Sequence, residues 1–196
     1  MFSMLRDKSR DEMAKNLAAC GIRAETAERG RAEEQFRSWA LTPGLGSKGI
    51  INILDGGLIK WINVVKTKHR DRHSGPRYRT VLGIPDESIP LSHKKLKITT
   101  VRKKSFPLFG KIVDVYWESK GDLQPLVKVF SDDIDIDKLV TDLGNMSIYT
   151  HPNKFRGWTL DLGKIFLPTE PCWAAFQKIA DYLLSFPLEG REGPNS

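Results

Sequence analysis

The chain has 196 residues, of which 40% are hydrophobic, 9% aromatic and 28% charged. These are ordinary globular values for one domain with an extension, and a chain of this length buries about 70% of its unfolded surface without staples. Two cysteines, Cys20 and Cys172, exclude a disulfide-built framework, and no apolar run reaches the ~20 residues of a membrane-spanning helix.

The opening residues MFSMLRDKSRDEM lack the apolar stretch of about 7–15 residues found in a secretory signal. The expectation is therefore a soluble, cytoplasmic protein with reduced thiols. Net charge is +7, but it is regional. Lys60 to Lys104 holds 13 Lys and Arg against three acids, a local charge of +10, whereas the remainder holds 18 bases and 21 acids, or −3. A one-sign field confined to one region attracts polyanions.

In chain order, Ser9 to Cys20 reads as a helix, with Ser9 and Glu12 as a capping box, Met13 and Leu17 on one face and Gly21 as a stop. Ala24 to Ala40 reads as a second helix, charged in its middle and apolar at Phe36, Trp39 and Ala40. TPGLGSKG (Thr42 to Gly49) matches the letters G-x-G-x-x-G at Gly44, Gly46 and Gly49. It follows a helix and precedes a β-type run, the reverse of a dinucleotide site, so it reads as a flexible joint. Residues 1–45 are then an N-terminal helical arm, 46–188 the core domain and 189–196 a disordered tail.

From Ile50 the pattern is β. Asp55-Gly56-Gly57 turns the chain between Ile50–Leu54 and Leu58–Thr67. Arg77 to Ile84 alternates, which sets Arg77 and Arg79 on one face and Tyr78, Thr80 and Leu82 on the other. Strands are expected at Leu96–Lys103, Lys111–Ser119 and Leu126–Phe130. In the second of these Val113, Val115 and Trp117 oppose Asp114, Tyr116 and Glu118. Ile136, Leu139, Val140 and Leu143 mark a helix closed by Gly144. Met146–Thr150 and Gly157–Leu162 form a last strand pair. A long helix runs from Thr169, its N-cap, to about Phe186, with Pro171 in its first turn.

The fold class is thus α+β: a mainly antiparallel, curved sheet of about seven strands packed by helices, with a long C-terminal helix. This element order resembles that of pleckstrin-like domains, curved sheets closed by a C-terminal helix. The resemblance is confined to element order and implies a protein-interaction or anionic-membrane-surface module.

Chemical motifs are few. His69 and His73 have the i, i+4 spacing of zinc ligands, but Arg70 stands where the zinc hydrolase motif has glutamate, among further cations. Asp132 to Asp137 is acidic; an EF-hand counted from Asp133 would have Lys138 and Gly144 where glycine and glutamate are required. Those carboxylates read as the N-terminal complement of a helix. There is no G-x-S-x-G elbow, and Cys172 falls on a buried helix face. The reading leans away from an enzyme, with no cofactor and no metal.

The basic region remains. Lys66, Lys68, Arg70, Arg72, Arg77, Arg79, Lys94, Lys95, Arg102, Lys103 and Lys104 are the candidate nucleic-acid-binding residues, with Trp61 and Tyr78 among them as stacking aromatics. The expectation is a non-catalytic module that contacts a polyanion, foremost nucleic acid, through a basic hairpin. The alternatives are the interaction or membrane-surface module above, with a protein partner on the N-terminal helices, and an enzyme or small-ligand carrier with a site in the concave sheet face.

Overall fold

The computed structural model describes residues 8–35, 46–67, 77–92, 94–104, 112–119, 123–151 and 155–188. In chain order these form α1 (Ser9–Ala19), β1 (Ala24–Thr26), a 3-10 turn (Ala32–Gln35), β2 (Gly46–Ile53), β3 (Trp61–Thr67), β4 (Arg77–Pro85), β5 (Lys97–Lys104), β6 (Ile112–Ser119), α2 (Gln124–Asp132), α3 (Ile134–Leu143), β7 (Met146–His151), β8 (Gly157–Leu162) and α4 (Glu170–Ser185). The eight strands make one open sheet in the order β1-β2-β3-β4-β8-β7-β5-β6, every pair antiparallel. The late hairpin β7–β8 is inserted between β4 and β5, so the chain returns to fill the centre of its own sheet.

One sheet face carries the main core. Ile62, Leu82, Leu160, Ile148 and Ile98 stand side by side across five strands, each fully buried. Burying one such side chain contributes about 1.5–3 kcal/mol, so this row alone is a large part of the driving force. The helices cover it with Leu126 and Phe130 of α2, Ile136, Leu139 and Val140 of α3, and Phe176, Ile179 and Leu183 of α4. α4 is tied to the β2–β3 turn, where the Leu58 amide donates to Gln177 Oε1 at 2.8 Å. The opposite face holds a smaller core of Ile50, Trp61, Val65 and Val81, packed by Ala27 and Phe155.

Four expectations are corrected. Leu126–Phe130 is not a strand but lies within α2, because Leu126 and Phe130, four apart, share a buried face with Val127 while Lys128 and Val129 are exposed. The start of the expected second helix is instead β1 and the 3-10 turn. Ala24 sits opposite Ile53 and Thr26 opposite Ile51, and Arg23 accepts from the Leu54 amide at 2.8 Å. A period-two alternation, Ile22 and Ala24 inward against Arg23 and Glu25 outward, overrides the helical charge pattern. The expected joint also narrows, since Gly46 to Gly49 are part of β2. Gly49, at φ 114°, lies in the bulge between Ser47 and Ile50, a conformation that glycine adopts without strain. Residues 36–45 and the tail 189–196 lie outside the described residues. At α1 the N-cap is Lys8, with no side-chain cap hydrogen bond, in place of the expected Ser9 box.

The remaining elements follow the sequence within about three residues, β3 starting at Trp61 where Leu58 was expected. Thr169 caps α4 by accepting from the Cys172 amide. Asp133 caps α3 by accepting from the amides of Asp135 and Ile136, as the acidic run implies.

Candidate nucleic-acid interface

The register places the basic residues. β7 and β8 stop at Met146 and Leu162, level with Thr80 of β4. On one side β3 and β4 continue past that level through the pairs Val65–Arg79, Lys66–Tyr78 and Thr67–Arg77. On the other, β5 and β6 continue from Thr100–Trp117 to Lys104–Ile112. Two strand pairs therefore project from the same end of the sheet. Two missing strands separate them, which leaves about 14 Å between β4 and β5 at ~4.8 Å per step.

A groove of about 900 Å³ occupies this gap, lined by Arg79, Thr99, Arg102, Gly144, Ser147 and Lys164 among others. Each of its cations has local work. Arg79 reaches Asp161 Oδ1 at 2.8 Å, and that carboxylate is only 1% exposed. Arg102 of β5 lies against Gly144, the C-cap of α3 (φ 92°), so close that a β-carbon there would meet its guanidinium. Lys164 Nζ donates to the Asp142 carbonyl at 3.0 Å. Cations at a helix C-terminus balance its negative end, so this groove is less positive than its residue names suggest.

The other sheet face, the helix-free face, differs: it is free of α-helix and covered by the 3-10 turn only at β2–β3, where the Glu33 carbonyl accepts from Asn63. Arg77, Lys97 and Lys103 are exposed on it, and Thr99 and Ser147 bond to each other there at 3.0 Å. Tyr149 stands opposite Lys97, with Lys95 Nζ 5.1 Å and Lys97 Nζ 5.8 Å from its ring centre. Nearby His151 Nε2 and Thr159 Oγ1 are 2.8 Å apart. From Lys97 to Lys103 the track along β5 is about 20 Å.

Of the residues expected at the site, Arg77 and Arg79 share the helix-free face, as the alternation requires. Lys66 is on the other face, 5.8 Å from the ring centre of Tyr78. Lys94 and Lys95 are exposed in the loop before β5. Lys103 faces Asp114 across β5–β6. Lys68, Arg70 and Arg72, like His69 and His73, lie outside the described residues, as does the side chain of Lys104. Trp61, 3% exposed, is core beneath Phe155, and Tyr78 packs against the main core. Tyr149 joins Tyr78 as a ring beside cations, a place that Trp61 does not hold.

Tyr149, Asp161 and Lys164 were missed. Asp161 had a signal: it is the one charge in GWTLDL, a strand buried along its whole length, where a carboxylate needs a cation. Elsewhere Cys172 is half-buried, and burial first, then the charges of Asp142 and Cys20, push its thiol up to about 11. It stays protonated near neutrality, unlike a catalytic thiolate. Among the described residues no three His, Cys, Asp or Glu converge as metal ligands, and no helix is long and apolar enough to cross a membrane. No family model, curated protein or solved structure matches this chain.

Proposed function

We propose that the protein is a non-catalytic, cytoplasmic module that holds single-stranded nucleic acid against the helix-free face of its sheet. The observation that carries this reading is Tyr149 flanked by Lys95 and Lys97 on an exposed strand face. An aromatic ring among cations suits a single strand, because bases stack on the ring while phosphates pair with the ammonium groups. Lys103 and Arg77 extend the cationic track toward the projecting ends of β5 and β4. Arg79 and Arg102 belong to the scaffold of the site and hold it in shape through Asp161 and the end of α3.

Fluorescence anisotropy with labelled oligo-dT, oligo-U and a duplex of equal length, at 50 and 200 mM salt, tests the proposal. The expected result is tighter binding of the single strands, weakened steeply by salt, and loss of that preference in Tyr149→Ala. Absence of binding at low salt, or equal binding of the duplex, overturns it.

A further inference from the structure

β6 is the last strand of the sheet. β5 pairs with one side, and among the described residues no strand pairs with the other. Exposed edges are commonly blunted by shortness, lysine or proline. At the opposite margin, β1 is three residues long. β6, with the sequence IVDVYWES, has eight residues and neither lysine nor proline. It thus presents about 27 Å of backbone donors and acceptors. Its two faces are unequal. Val115 and Trp117 turn toward the helices, with the Trp117 ring centre 5.1 Å from that of Phe130 in α2. Asp114, Tyr116 and Glu118 are exposed on the helix-free face.

The inner neighbour shows a basic and an apolar side chain of the kind this face accepts, and the charge of Glu118 argues for a second basic one. β5 sets Lys103 opposite Asp114, Val101 opposite Tyr116 and Thr99 opposite Glu118. The free side of β6 offers the same three residues to a strand arriving from outside. We propose that this edge takes up an extended basic peptide segment of a partner protein by strand addition, in the pattern basic–x–apolar–x–basic. Its two basic side chains stand over Asp114 and Glu118 and its apolar one over Tyr116. Main-chain hydrogen bonds supply the affinity, and the alternate side chains the selectivity. A second copy is a poor occupant, since antiparallel β6–β6 pairing centred on Tyr116 sets Asp114 against Glu118 twice, and like charges directly opposite are destabilising.

The full chain is titrated, by anisotropy at low salt, with a labelled Thr-Lys-Thr-Val-Thr-Lys-Thr peptide, its Lys-to-Glu counterpart and a version N-methylated on alternate amides. Amide hydrogen exchange is followed with the first. The expected result is binding of the basic peptide roughly tenfold or more tighter than the acidic one, from two opposite-charge pairs becoming two like-charge pairs. Slower exchange in 112–119 and failure of the N-methylated peptide are also expected. Asp114→Asn with Glu118→Gln, nearly isosteric, weakens the basic peptide roughly fivefold, and Asp114→Lys with Glu118→Lys reverses the charge preference. Equal binding of the acidic and basic peptides, protection elsewhere than β6, or a concentration-dependent dimer that protects 112–119 without peptide overturns the proposal.

Discussion

Gly83 of β4 faces Trp61 of β3, and a methyl group built on that glycine would overlap the indole. The large ring is buried only because its cross-strand neighbour has no side chain. Gly83→Ala forces Trp61 off its rotamer or the strands apart, at a cost of about 1–3 kcal/mol. A lowered urea midpoint with a changed tryptophan emission is the expected signature. Arg79 has a comparable role in charge. Its guanidinium is 2.8 Å from Asp161, which is 1% exposed, and removing one partner of a buried pair costs about 3 kcal/mol. Arg79→Ala therefore lowers the denaturation midpoint strongly, whereas Arg77→Ala, fully on the surface, stays within about 0.5 kcal/mol of the parent. Chemical denaturation of the two variants side by side checks this.

At the scale of elements, α3 starts on a charged knot. Asp133 accepts from the amides of Asp135 and Ile136, from Lys178 Nζ of α4 at 3.2 Å and from the Tyr182 hydroxyl at 3.0 Å. Burial alone would raise its carboxyl, but the Lys178, Ile136, Tyr182 and Asp135 hydrogen bonds outweigh it and hold the group below the usual range. Hydrogen bonds to Asp135 and Asp133 hold Lys178 above its own. A depressed carboxylate contributes stability that is present above its unfolded value of about 3.9 and is lost as pH falls through the folded value. A raised ammonium contributes below about 10.4 and is lost as pH rises through its folded value. The α3–α4 junction is thus strongest between those limits. Asp133→Ala costs about 1–2 kcal/mol near neutrality through loss of the cap and flattens the fall in Tm below pH 4, measured by circular dichroism across pH.

These elements also show how much of the fold was legible in the sequence. Asp133, Thr169 and Gly144 act over a few residues, so the helix ends they mark could be read locally. Leu126–Phe130 is five residues rich in valine, too short to distinguish period two from 3.6, and only packing against Trp117 and Tyr182 decides for a helix. β1 exists because β2 is beside it. The insertion of β7–β8 between β4 and β5, which creates the groove and the 20 Å track, is a long-range choice that alternation along single strands does not encode. For the same reason, the alternation placed Arg77 and Arg79 together but could not bring Tyr149 to Lys97.

For the molecule as a whole, the described cations of the basic region include two kinds. Arg79, Arg102 and Lys66 lie against Asp161, the end of α3 and the Tyr78 ring, where they answer local negative charge or cover aromatic surface. Lys95, Lys97 and Lys103 are exposed along one track on the helix-free face. The second kind, being exposed, exchanges its counterions for phosphates more readily than the first. Each phosphate neutralised on a single strand steepens the log–log salt dependence of affinity by about 0.7. Lys95→Ala, Lys97→Ala and Lys103→Ala combined should therefore lower the slope for oligo-U by about 2, with the same proportional loss for every sequence and an unchanged Tm. Arg102→Ala should instead lower Tm, because α3 loses the cation at its carbonyl end, and leave the slope within about one phosphate of the parent. Anisotropy titrations between 50 and 200 mM salt, paired with thermal melts, separate the two classes. A triple variant whose slope matches the parent would remove the helix-free face as the binding surface, whatever the total charge of the chain.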